Sequence, residues 1–292
     1  MVAIVGRANV GKSTLINVLL CEKVSIVSPI AQTTRNLIRG IHTEERGQIA
    51  FLDTPGIHRA RTSLGKIMNR IARMSIEGVD AVLFVLDVSV PPHIEDRGWM
   101  QRLLRESTPV IAAFNKSDRK QDFSQDYVLL WQELARECGI HRKLDWRRIS
   151  ALNGSGTDIL MTRLFELMPS GPLLFPEEVL TDFPKRLAIS DIIREKYLRS
   201  LNQELPHSIA VWVEDIGAAE DHWDVQVVIY VERHSQKGII IGQKGRLLRR
   251  VRRSAEAELS DIYGLPIFLD IFVKIEKNWS KNFWLLKKLG YA

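Results

Sequence analysis

The sequence predicts an α/β domain with a mostly parallel sheet and helices on both faces, followed by a smaller α+β domain. Three observations predict this. Short apolar runs alternate with longer amphipathic stretches over the first 168 residues. A cluster of prolines and glycine then interrupts the chain. Beyond it the order of helical and strand-like segments changes. The chain has 292 residues, enough for two cores, and 45% apolar against 26% charged residues argues against disorder.

Taken in order, the apolar runs 2–5, 49–52, 81–86 and 110–114 read as buried strands. Stretches 15–20, 67–76, 99–105, 127–138 and 159–168 repeat apolar residues every three or four positions and read as helices. A helix after each strand makes a parallel sheet the expected arrangement. Residues 35–42 read as an antiparallel edge strand. Pro169, Gly171, Pro172, Pro176 and Pro184 make residues 170–184 a linker between a domain over 1–169 and one over 185–292. There 187–205 reads as a helix, 209–215 and 225–233 as strands, 246–262 as a helix and 267–275 as a strand.

The formal net charge is +6, and its distribution says more than its size. Lys237, Lys244, Arg246, Arg249, Arg250, Arg252 and Arg253 fall in a stretch without an acidic residue, which suits an anionic partner. Only Cys21 and Cys138 are present, far apart, so a disulfide framework or zinc site is not expected and a reducing, cytoplasmic setting is. No signal-peptide pattern precedes the first strand, and no apolar run approaches the roughly 18 residues of a transmembrane segment.

Gly6-Arg7-Ala8-Asn9-Val10-Gly11-Lys12-Ser13 fits the phosphate-loop pattern GxxxxGKS/T between a strand and a helix, and with Thr14 it supplies the candidate phosphate contacts. Its glycines let backbone N–H groups curl around phosphates at a helix N-terminus. Lys12 would reach the β- and γ-phosphates, and Ser13 would offer its hydroxyl to Mg²⁺. The loop specifies a nucleoside triphosphate and leaves ATP or GTP open. Asn115-Lys116-Ser117-Asp118 decides for guanine. A buried Asp118 carboxylate could accept from guanine N1–H and the 2-amino group, neither of which adenine offers on that edge. Asn115 would brace the loop, and the Lys116 stem would cover the base. Ser150-Ala151-Leu152 reads as the loop that gives a backbone N–H to guanine O6.

Asp53-Thr54-Pro55-Gly56 follows a strand: Asp53 would hold Mg²⁺ through water, and the Gly56 N–H would sense the γ-phosphate. Gln32-Thr33-Thr34-Arg35 suits the first switch, with Thr34 as the magnesium threonine and Thr33 as the alternative. Ile57 stands where many signalling GTPases carry the glutamine that orients water, so slow intrinsic hydrolysis is expected. Asn9 is a candidate ligand for K⁺ at the phosphate loop; the alternative is a loop residue bonding its backbone neighbours. Hydrolysis would thus rest on Lys12, Thr34, Gly56 and Asn9.

In the second domain, Ile239–Ile241 reads as an apolar run closed by Gly242-Gln243-Lys244-Gly245, a GxxG turn before an arginine-rich helix. KH modules use such a turn to approach a sugar–phosphate backbone. Lys244, Arg246, Arg249 and Arg250 would meet phosphates, making RNA binding salt-sensitive. Trp279, Phe283 and Trp284 read equally as stacking platforms or as packing for the tail.

Together GRANVGKS, QTTR, DTPGIH, NKSD, SAL, GPLLFPEE, IIREK, IIIGQKG and KNW…LGY resemble the Era family of bacterial GTPases over nearly the whole chain. The resemblance implies a P-loop GTPase domain followed by a type II KH domain that binds RNA. It further implies GTP/GDP and Mg²⁺ as ligands, the 3′ end of 16S rRNA and the 30S subunit as partners, and a role in ribosome biogenesis. Gly242–Gly245 and Arg246 would lie nearest the RNA. A cytoplasmic monomer is expected, with peripheral inner-membrane contact implied by the family and demanded by nothing in the sequence. Ala8 departs from the proline usual in this loop. The chain also begins almost at its first strand, which leaves open that the numbering starts at an internal methionine. The competing readings are a tRNA- or membrane-directed GTPase, and an RNA-binding protein whose nucleotide site is only structural.

Overall fold

The computed structural model describes residues 1–28, 30, 33–57, 62–201 and 208–291. Gln32, His58 and the end of the helix expected over 187–205 lie outside the described residues. The chain divides into two compact units. One holds residues 1–25, 34–57 and 68–182; the other holds 183–291 and short stretches within 26–33 and 62–67.

The first unit is a six-stranded sheet in the order β2-β3-β1-β4-β5-β6. Its strands are β1 (Val2–Val5), β2 (Ile38–Glu44), β3 (Gly47–Asp53), β4 (Ala81–Asp87), β5 (Val110–Asn115) and β6 (Asp145–Arg148). All neighbours are parallel except β2, which runs antiparallel on the edge beside β3. The two-residue period of a strand sorts side chains between two cores. Val2 and Ile4 pack under helices α1 (Lys12–Leu20) and α5 (Thr157–Leu167), with Leu15, Ile16, Leu160 and Leu164. Ala3 and Val5 face the other way, where α2 (Ser63–Met74), α3 (Ile94–Arg105) and α4 (Ser124–Cys138) supply Ala72, Trp99, Leu103, Tyr127 and Trp131. Because β1 lies between β3 and β4, the connections leave it in opposite directions. That switch point opens a crevice at the strands' carboxyl ends.

The proline-rich segment does more than link. Gln48 accepts from the amides of Leu174 and Phe175 and donates to the Phe175 carbonyl, at 3.0–3.1 Å. The Ile41 amide donates to Leu180 O at 2.8 Å, and Thr181 Oγ1 donates to Arg39 O at 2.6 Å. Unpaired β2 edge groups are thereby covered.

The second unit packs α6 (Lys185–Ser200) and α8 (Arg246–Tyr263) on one face of a three-stranded sheet ordered β7-β8-β9. Its strands are β7 (Ala210–Ala218), β8 (Trp223–Val231) and β9 (Ile267–Ile275). Strand β7 is antiparallel to β8, and β8 is parallel to β9. Residues 239–241, read from the sequence only as an apolar run, form the last turn of helix α7 (His234–Ile241). Three consecutive isoleucines carry strand propensity. The Gln236 side chain overrides it by accepting from the amides of Glu232 and Arg233, starting a helix whose Ile240 enters the core. The tail ends in α9 (Phe283–Lys288). Trp279 is fully buried and donates to Ser208 O, so it packs, whereas Phe283 and Trp284 stay exposed. Among the described residues no helix is long and apolar enough to cross a membrane.

Candidate functional site

The loops following β1, β3, β4, β5 and β6 meet at the crevice. The phosphate loop runs from Gly6 to the start of α1 and turns through a left-handed Asn9 with φ 64°. Lys12 is buried, and its Nζ donates to Gly6 O at 3.3 Å and Arg7 O at 2.9 Å. Burial lowers its pKa to about 8, against the opposing pull of Asp53. A desolvated ammonium of this kind interacts strongly with an incoming phosphate. Arg7 anchors the loop to α3 through Nε, which donates to the buried Asp96 at 3.2 Å.

The segment after β3 lies directly on this loop. The Ala8 amide donates to Ile57 O at 3.3 Å, and the Ile57 amide donates to Gly6 O at 3.4 Å. A Cβ on Gly56 would fall 2.5 Å from Ala8 Cα, so only glycine permits the approach. The Ile57 side chain packs on the apolar core of that face, away from any role in orienting water.

Three oxygen side chains converge at the start of α1: Ser13 from the helix itself, Asp53 from the end of β3 and Thr34 from the segment ahead of β2. Ser13 Oγ donates to Asp53 Oδ2 at 2.8 Å and stands 2.8 Å from Thr34 Oγ1. With its one proton on Asp53, Ser13 accepts from Thr34. Thr33 turns elsewhere, donating to Ile30 O at 2.6 Å. Asp53 is fully buried, burial raises its pKa against the opposing effects of Lys12, Ser25 and Ser13, and among the described residues its Oδ1 has no hydrogen-bond partner. An orphaned carboxylate oxygen among hydroxyl oxygens fits a hard divalent cation such as Mg²⁺.

Across the crevice Asn115 ties three loops together. Its Nδ2 donates to Val10 O at 2.7 Å, and its Oδ1 accepts from the Ala151 amide at 2.8 Å. The Ala151 N–H expected for guanine O6 is therefore held by Asn115 in this structure. Lys116, itself left-handed at φ 64°, donates to Asn9 O at 2.8 Å and pairs with Asp87 Oδ2 at 2.5 Å. Burial alone would raise the Asp87 pKa; the bonds from Lys116 and Ser89 hold it below the usual carboxylate range. Asp118 accepts from Ser150 Oγ at 2.5 Å, and it is exposed rather than buried as its sequence pattern suggested. Discrimination at Asp118 thus depends on the base itself covering the carboxylate.

The sequence-derived nucleotide residues stand around this crevice: Gly6, Asn9, Val10 and Gly11 on the loop after β1, Lys12, Ser13 and Thr14 at the start of α1, Thr34 ahead of β2, Asp53 at the end of β3 and Gly56 after it, Asn115 at the end of β5 with Lys116 and Asp118 after it, and Ser150 and Ala151 after β6. Sequence reasoning missed Asp87, Ser25 and Asn17. Asp87 could have been suspected as the polar end of an apolar strand; the other two carry no local signal.

In the second unit α7 and α8 meet at the GxxG turn. Gly242 caps α7 at φ 73°, ψ 171°, residues Gln243–Gly245 form a 3₁₀ turn, and Arg246 opens α8. Gln243, Lys244, Arg246, Arg249 and Arg250 are exposed. Among the described residues none of those four cations is in an ion pair, so their charge is available to an anion.

Against known proteins, residues 1–116 match the family described as 50S ribosome-binding GTPase, and residues 204–280 match the KH domain family. The chain is 40% identical over 294 residues to GTPase Era of Thermoanaerobacter sp. (strain X514), covering 100% of this chain and 95% of that protein. It is 42% identical over 295 residues to GTPase Era of Carboxydothermus hydrogenoformans, covering 100% and 97%. Its fold is similar to an Era variant of Aquifex aeolicus bound to GDP.AlF4⁻, with a TM-score of 0.92, 37% identity and coverage of 100% and 98%. A second solved structure, Era in complex with MgGDPNP and nucleotides 1506–1542 of 16S ribosomal RNA, gives the same values.

Proposed function

Because this chain belongs to the Era family of GTPases, we propose that it is a GTP-hydrolysing switch that holds the 3′ end of 16S rRNA and acts in assembly of the 30S subunit. The observation that carries the reading is a single chain with two halves of one device. Ser13, Thr34 and Asp53 meet within hydrogen-bond distance beside Lys12, and a helix–GxxG–helix presents exposed cations. The solved Era complex with 16S rRNA nucleotides supports the choice of RNA.

Lys12 and the loop amides bind the phosphates; Ser13, Thr34 and Asp53 hold Mg²⁺, which when bound neutralises charge on the β- and γ-oxygens. The Gly56 amide senses the γ-phosphate. Asn115, Lys116, Asp118, Ser150 and Ala151 form the guanine pocket. Gly242, Gln243, Lys244, Gly245, Arg246, Arg249 and Arg250 form the RNA face. The protein works as a cytoplasmic monomer, with any membrane contact peripheral. Residues 1–169 and 185–292 serve as its GTPase and KH domains.

Thr34 and Gly56 are ordered by the γ-phosphate, and linkage requires that RNA favour the same state that favours RNA. A short RNA copying the 3′ end of 16S rRNA should bind more tightly with a non-hydrolysable GTP analogue than with GDP. Equal affinity in a titration with both nucleotides would replace the switch by a constitutive RNA binder.

Ile57 packs half-buried against the core and cannot orient water, so hydrolysis draws its extra transition-state charge from a K⁺ held by Asn9. Single-turnover hydrolysis should run several-fold faster in K⁺ than in Na⁺, with the difference abolished in Asn9→Ala. An unchanged K⁺/Na⁺ ratio in the variant would remove Asn9 from this role.

A further inference from the structure

The metal-site carboxylate has a second, dedicated donor. Ser25 Oγ donates to Asp53 Oδ2 at 2.7 Å, the same oxygen that accepts from Ser13 at 2.8 Å. Ser25 is 1% exposed and Asp53 0%, so water does not compete for the bond. Ser25 is itself gripped from α1. Asn17 Oδ1 accepts from the amides of Val24 and Ser25 at 3.0 and 2.9 Å, and its Nδ2 donates to Ser25 O at 2.7 Å.

The spacing along α1 explains the arrangement. Asn17 stands four residues after Ser13 and so on the same helix face. One helix thus carries a metal hydroxyl and, one turn on, the amide that fixes the loop returning over it. Asparagine disfavours helix interiors because it bonds nearby backbone, and here it bonds the loop instead. Ser13 must serve both the cation and Asp53. Ser25 donates to Asp53 Oδ2, so that Oδ1, without a hydrogen-bond partner among the described residues, stays open to the metal.

We propose that Ser25 and Asn17 are positioning residues of the magnesium site: Ser25 orients Asp53, and Asn17 orients Ser25. This rests on reading Ser13, Thr34 and Asp53 as that site. Outer-layer partners of this kind are worth 10–100-fold in metal affinity.

The test is dissociation of a fluorescent GDP from the full-length protein across a Mg²⁺ titration and in EDTA. In Ser25→Ala the Mg²⁺ concentration that half-slows release should rise roughly 10–100-fold, with the EDTA rate unchanged. Ser25→Thr, which keeps the hydroxyl, should restore the wild-type midpoint. Asn17→Ala should shift it in the same direction and gives a second reading if Ser25→Ala folds poorly. An unmoved midpoint in both alanine variants overturns the proposal. So does faster release in EDTA matching that in Mg²⁺, because that would mark a structural role. Magnesium-independent release from the wild-type protein would defeat the metal-site reading itself, and this proposal with it.

Discussion

Asp118→Asn is expected to weaken GDP binding by roughly 10²–10⁴-fold while strengthening binding of the xanthosine nucleotide. Guanine presents two adjacent donors, N1–H and the 2-amino group, and a carboxylate can accept from both. Each hydrogen bond to a charged group contributes about 1.5–3 kcal/mol. An asparagine keeps one acceptor and sets its own amide against the 2-amino group. Xanthine carries an oxygen at that position, so the amide finds a partner again. Asp118 is exposed in the free protein and, among the described residues, bonded only to Ser150 Oγ, so folding stability should hardly change. Competition of GDP and XDP against a fluorescent guanine nucleotide checks the exchange. A GDP/XDP preference equal to wild type would mean that the base does not sit against Asp118.

Gly242→Asp should reduce RNA affinity at least ~100-fold while leaving GDP binding intact. Gly242 adopts φ 73°, ψ 171°, a region open essentially to glycine alone. A Cβ there would stand 2.8 Å from Leu247 Cβ, forcing the start of α8 to move. Strain of this type costs about 1–3 kcal/mol. The added carboxylate also repels the phosphates that Lys244, Arg246, Arg249 and Arg250 attract, and releasing two of those phosphates is enough for an effect of this size. Fluorescence anisotropy with the rRNA 3′-end fragment measures the RNA arm, and a GDP titration on the same sample shows that the first unit is folded. Wild-type RNA affinity in the variant would move the RNA off the GxxG turn.

Much of the candidate site was legible because its chemistry is local. The phosphate loop, NKSD and DTPG each place contiguous residues on one turn after one strand, so a string of residue types encodes both the backbone and the groups it presents. Strand and helix positions in the first unit follow from apolar periodicity for the same reason. Helix α7 was hidden because β-branched isoleucines carry strand propensity, which capping by Gln236 and burial of Ile240 override.

The sequence by itself determined the family, the order of the two folds, the guanine signature and the GxxG turn. Only the tertiary structure decided that Thr34 rather than Thr33 meets Ser13, that Asn115 holds the Ala151 amide, and that Asp87 and Ser25 serve Lys116 and Asp53. It also decided that the proline-rich segment seals the β2 edge. The physical reason is common to these cases. A turn or a helix face is dictated by neighbours along the chain, whereas each of these contacts joins residues far apart in sequence. Their distance is set by how strands register and helices pack, and no run of residue types records that.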